Sequence, residues 1–89
     1  MNIVFHRDCI KDLKHWKAAG WKMESFKAFL DDCGGSWPLS RKYELHMLHG
    51  EKESIWDIHI RQNWLVLVKR NGDTITLLRT GTHAYLGIA

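Results

Sequence analysis

Apolar residues along this chain change their period twice. Near the N-terminus Ile3, Val4 and Phe5 stand in succession, a short run that predicts a strand buried on both faces. From Cys9 to Ala19 the spacing is helical. Ile10, Leu13 and Trp16 recur every three residues on one face, Lys11, Lys14 and Lys17 occupy the others, Asp8 is placed to cap the start and Gly20 to end it. A second helical stripe of Met23, Phe26, Phe29, Leu30 and Cys33 runs into Gly34-Gly35. So few residues separate the two stripes that an antiparallel helical hairpin is expected.

Residues 36–42, with the chain's one proline at Pro38, read as a loop. Tyr43 to Leu48 is a short extended segment carrying His46, followed by a turn at His49-Gly50 and a polar, surface stretch from Glu51 to Ser54. Beyond Ser54 the period falls to two. Trp56, Ile58 and Ile60 share one face of a strand, while Asp57 and His59 share the other with Ile55. Gln62-Asn63 turns the chain into Trp64–Val68, apolar on both sides and therefore central in a sheet. Asn71-Gly72 between two hydrophobic runs is the signature of a type I′ hairpin turn. Its partner strand, Thr74 to Arg79, places Ile75, Leu77 and Arg79 on one face before Gly81 breaks it, and Thr82 to Leu86 closes the chain. The predicted order is β-α-α-β-β-β, with a further short strand possible before Ile55. That is an α+β fold, a helical hairpin packed on a mainly antiparallel sheet.

Eighty-nine residues allow one domain, spanning 1–89, with a single core. A chain this size buries only about 60–65% of its unfolded surface, and five tryptophans help so small a core reach adequate area. The net charge of +3 leans towards a nucleic acid or an acidic protein partner. No apolar run approaches the ~18 residues that cross a bilayer. Arg7, Asp8, Lys11 and Asp12 interrupt any signal-peptide core, so a cytoplasmic location without membrane contact is expected. Cys9 and Cys33 lie outside any CxxC pattern and read as small buried hydrophobes.

Three motifs in the second half belong together: His46-x-Leu48-x-Gly50, then Asp57-x-His59 ahead of the strand at Trp64 to Val68, then Arg79-Thr80-Gly81-Thr82-His83 with Leu86 behind it. With this order of elements, the chain resembles the RelE/ParE superfamily of small bacterial toxins, and its C-terminal half resembles the YafQ-like branch. That resemblance implies a RelE-like fold and a type II toxin–antitoxin toxin, a ribosome-dependent endoribonuclease that cuts mRNA in the ribosomal A site against rRNA. It also implies that a cognate antitoxin restrains it and that it uses no metal or cofactor. It marks His46, His59 and His83 as catalytic histidines, with His83 passing a proton to the leaving group, and Asp57 as an accessory to them. Two positions depart from the family pattern: Asn63 stands where an acidic residue precedes the tryptophan, and Gly87 stands where an aromatic follows the leucine.

The residue types suit that chemistry on their own account. In RNA the nucleophile is the 2′-hydroxyl, so a protein supplies a base, an acid and positive charge for the phosphorane. Histidine performs either proton transfer near neutral pH, and arginine clamps a phosphate bidentately. The expected roles are His83 as general acid, His46 or His59 as general base, Asp57 as a tautomer-setting carboxylate, and Arg79 as phosphate clamp. Arg61, Asn63 and Tyr85 complete the expected substrate-binding set. His6, His15 and His49 belong to no motif and read as ordinary surface or core residues. A zinc site is disfavoured because no local histidine pair has helical i, i+4 spacing. Two alternatives remain at this stage: a ParE-like gyrase-inhibiting toxin, which the histidine set argues against, and a catalytically weakened antitoxin-binding module.

Overall fold

The computed structural model describes residues 2–35, 41–44, 46–47 and 55–88. The chain runs β1 (Asn2–Phe5), α1 (Arg7–Ala18), α2 (Glu24–Cys33), a 3₁₀ turn (Arg41–Tyr43), β2 (His46–Met47), β3 (Ile55–Arg61), β4 (Trp64–Asn71), β5 (Thr74–Gly81) and α3 (His83–Leu86). The strands form one five-stranded sheet in the order β1-β5-β4-β3-β2. Strands β2 to β5 are antiparallel neighbours, and β1 joins β5 in parallel. The predicted α+β arrangement of helices on a mainly antiparallel sheet is present, the extra short strand being β2. Of the loop expected over residues 36–42, residues 41 and 42 begin the 3₁₀ turn and 36–40 lie outside the described residues, as do the turn at His49-Gly50, the polar stretch 51–54 and the ring of His46.

The core is the layer between the helices and one sheet face. Phe26, Phe29 and Cys33 of α2 and Cys9 of α1 meet Ile58 on β3, Trp64, Val66 and Val68 on β4, and Ile75 and Leu77 on β5. Alternation accounts for the β-strand contributors, and the helical stripe accounts for α2. Helix α1 docks along β5 and α2 along β3, so the helical pair spans the sheet. Among the described residues no helix is long and apolar enough to cross a membrane.

Several local expectations are corrected. Strand β1 is not buried on both faces; it is an edge strand with Val4 and Phe5 exposed, because α1 covers β5 and leaves β1 outside. Helix α1 is capped by His6, whose ring Nδ1 accepts from the Asp8 N–H, rather than by Asp8. Its inward face is rotated from the predicted one, with Ile10 exposed and Asp12 buried beside Cys9. Tyr43 sits in a 3₁₀ turn, not an extended segment, and its ring fills the core edge-on to Phe29. The hairpin loop is Gly72-Asp73 rather than Asn71-Gly72, since Asn71 still pairs with Thr74. Only Gly72 (φ +60°) is left-handed there, whereas a type I′ turn needs positive φ at both loop residues.

A bulge in β5 has the largest consequence. Val68 pairs with Leu77 but Leu67 pairs with Arg79, so Leu78 is the extra residue. Past it the faces exchange. Thr80, not Arg79, occupies the core-facing slot, fully buried, with its hydroxyl donating to the Leu65 carbonyl and accepting from the Trp64 indole N–H. Arg79 therefore does not share a face with Ile75 and Leu77.

Candidate active site

Register assembles the site on the sheet face turned away from the helices. His46, Asp57, Leu67 and Arg79 form one row across β2, β3, β4 and β5. His59, Leu65 and Gly81 form the next row. Two residues beyond Gly81 the chain enters α3, whose first residue is His83. A histidine from β3 and one from α3 thus face each other, their ring centroids 5.7 Å apart and nearly perpendicular. They open onto a groove of about 500 Å³ that Lys42, Glu44, Arg61 and Asn63 also line.

Each ring is held by identifiable partners. Glu44 Oε2 lies 3.2 Å from His59 Nδ1 and Asp57 Oδ2 3.6 Å from Nε2, so carboxylates flank the imidazole at both ends. Asp57 is buried, and among the described residues nothing donates to its Oδ1. Asn63, left-handed at φ +56° in the β3–β4 turn, turns its side-chain oxygen to α3. That oxygen accepts from the His83 backbone N–H at 3.1 Å and lies 2.8 Å from the ring Nδ1. An amide oxygen can only accept, so Nδ1 carries the proton in this contact and Nε2 remains for proton exchange with a ligand. The uncharged residue at position 63 thereby sets the tautomer. Thr82 caps α3 through its hydroxyl, and Gly87 closes it in the left-handed conformation (φ +71°).

Arg79 and Tyr85 sit elsewhere. Beyond the end of β1 the edge of β5 is open, and Asp12 of α1 fills it. This carboxylate, 3% exposed, accepts from the Thr80 N–H (3.1 Å), from Arg79 Nε (2.7 Å) and Nη2 (3.2 Å), and from the Tyr85 hydroxyl (2.9 Å). The guanidinium also lies 5.7 Å from the Tyr85 ring centre. Arg79, Tyr85 and Asp12 line a recess of about 340 Å³ with Asp8 and Lys11, distinct from the histidine groove. The structure brings His59, His83, Asp57, Asn63 and Arg61 together, sets His46 in register with Asp57, and ties Arg79 and Tyr85 to Asp12. No motif in the sequence marks Asp12 or Glu44; the one signal for Asp12 is an acidic residue on the helical stripe that joins Cys9 to Trp16.

Titration follows these contacts. The hydrogen bonds they donate to Asp12 hold the Arg79 guanidinium above its usual range and raise the Tyr85 phenol. Burial pushes the Cys9 thiol up to about 12, with the Asp12 charge adding to it, and burial with Asp32 does the same for Cys33. Burial and then the hydrogen bond it gives Asp32 raise Tyr43.

Comparison with known proteins points to one family. Residues 1–87 match the family model described as bacterial toxin of type II toxin-antitoxin system, YafQ. The E. coli DinJ-YafQ toxin-antitoxin complex contains a chain that is 27% identical, with a TM-score of 0.87 over 96% of this chain and 94% of that one. YafQ from E. coli strain BL21(DE3) superposes with a TM-score of 0.86 at 24% identity over 96% of each chain. A metal-bound toxin from Helicobacter pylori shares the fold with a TM-score of 0.86 at 24% identity, over 97% of this chain and 98% of that one. Comparison with curated proteins gives no match.

Proposed function

Because the chain belongs to the YafQ family of bacterial type II toxin–antitoxin toxins, we propose that it cuts mRNA on the ribosome and that its cognate antitoxin keeps it silent. The observation that carries this reading is the pair of imidazoles, His59 and His83, packed edge to face with ring centres 5.7 Å apart on the wall of a groove that Arg61 also lines. The 2′-hydroxyl of the substrate attacks the adjacent phosphorus, and His59, or His46 from the neighbouring strand, takes its proton. The bond to the 5′-oxygen breaks as His83 Nε2 delivers a proton to it, leaving a 2′,3′-cyclic phosphate and a 5′-hydroxyl. Asp57 and Glu44 fix the His59 ring, and Asn63 fixes His83. Arg61 meets the charge that grows on the phosphorane. Arg79 is a weaker clamp than its motif suggests, because Asp12 holds its Nε and one Nη. Neither proton transfer calls for a metal ion.

The antitoxin is inferred from the likeness to the toxin chain of the DinJ-YafQ complex. Ribosomes programmed with a defined mRNA and mixed with purified protein provide the test, read by primer extension. Cleavage is expected to persist in phenanthroline, which removes zinc and copper but spares ribosomal magnesium. His59→Ala and His83→Ala should each slow it by about 10²–10⁴-fold. Wild-type cleavage by His83→Ala overturns the assignment of the acid.

A further inference from the structure

We infer that a second recess, on the far side of the β3–β4 turn, receives the nucleotide next to the one being cut. This rests on the RNA-cleaving reading and deepens it. Arg61, Gln62 and Asn63 form a partition: one side of it lines the histidine groove, and the other lines a cavity of about 430 Å³ with Trp21, Lys22 and Thr82. That volume falls in the range of small-ligand sites.

The chemistry of the walls selects the occupant. Trp21 lies against Trp16 (4.0 Å between ring centres, 20° between planes) and against Trp64 (4.7 Å, 59°), so its indole is a rigid aromatic wall. Lys22 and Arg61 are exposed cations at the opening, and no acidic residue lines it among the described residues. Gln62 is an exposed amide, and the Asn63 oxygen is already committed to His83, which leaves its NH₂ to donate. Cations for a phosphodiester, an aromatic wall for a base and amides for a base edge are together the requirements of a single-stranded nucleotide. A purely apolar ligand leaves the amides and cations without partners, and an acidic peptide makes no use of the indoles. A strand laid over the turn puts its scissile phosphate in the groove against His59 and His83 and the neighbouring base in the recess. The partition that divides the two units also orients the acid, so occupancy of the recess and placement of His83 depend on one turn.

The test uses ribosomes programmed with mRNA that carries a 2′-O-methyl group at the cleavage site and 2-aminopurine at successive positions around it. Toxin binding should quench the fluorescence strongly at one flanking position only, and Trp21→Leu should remove that quenching. On cleavable mRNA, Trp21→Leu should raise KM about fivefold or more with kcat little changed. Lys22→Ala, a surface change that leaves the fold intact, should raise KM and lower the salt dependence of binding by about one ion. Equal quenching at every position, or wild-type KM and salt dependence in Lys22→Ala, overturns the subsite. If those variants match a wild type that cleaves and His83→Ala does not cleave, the subsite alone fails. If wild type neither binds nor cuts, the RNA-cleaving reading falls and the subsite with it.

Discussion

Asp12 is the buried group on which the C-terminal end of the sheet depends, and its removal can be worked through in energy. In Asp12→Ala the Thr80 N–H, fully buried, loses its acceptor, a cost of about 1–3 kcal/mol. The Arg79 side chain is 39% exposed, so water replaces much of its ion pair and that loss is about 0.5–1 kcal/mol. The Tyr85 hydroxyl belongs to an exposed residue and rehydrates, adding about 0.5 kcal/mol. The sum is about 3 kcal/mol, set against the roughly 4–13 kcal/mol expected for a chain of this length. At about 4–8 °C per kcal/mol for a domain of this size, Tm should fall by about 12–24 °C. Asp12→Asn keeps one oxygen for the Thr80 N–H and Arg79 Nε but turns an NH₂ towards Arg79 Nη2, so it should fall between wild type and Asp12→Ala. Urea unfolding followed by tryptophan fluorescence measures both, with m unchanged if the transition remains two-state. A loss below about 1 kcal/mol in Asp12→Ala would refute the idea that this carboxylate ties α1 to β5 and α3.

Three further changes have defined outcomes. A Cβ on Gly81 would stand 2.6 Å from Tyr85 Cδ2 and 3.0 Å from Trp16 Nε1. Trp16 is anchored by its indole bond to the Thr80 carbonyl, so Gly81→Ala must push Tyr85 off Asp12, at a cost of about 1–3 kcal/mol visible as a lower melting temperature. The two thiols favour the native state while protonated: their contribution is complete below the ordinary thiol value of 9.0 and is lost as pH rises through about 12. Stability should therefore decline over that window, and iodoacetamide at pH 8 should label Cys9 and Cys33 only as fast as the chain opens; rapid labelling of folded protein would contradict their burial. Asn63→Ala removes the acceptor that orients His83 and should lower kcat by about tenfold or more, whereas Asn63→Asp, which keeps that acceptor, should retain cleavage. Equal kcat in wild type and Asn63→Ala would show that the ring needs no such anchor.

The α2 stripe, the alternation of Trp56, Ile58 and Ile60 against Asp57 and His59, and the turn at Gln62-Asn63 were all legible in the amino-acid order. Helical and strand periods are local properties, and a wrong period would expose a whole apolar face. Alternation likewise sets the face that Asp57 and His59 share, and strand pairing sets their neighbours, whereas His46 and His83 were marked only by the resemblance of their motifs to a family pattern. What only the tertiary structure decided was the fate of individual polar groups. Asp12 is buried because its donors arrive from 67, 68 and 73 residues away, and no local pattern announces them. One extra residue at Leu78 moved Arg79 off the face that strict alternation assigns it, leaving Thr80 to the core and the guanidinium to Asp12. Burying a charge is tolerable only where partners converge, and that convergence is a property of the folded chain.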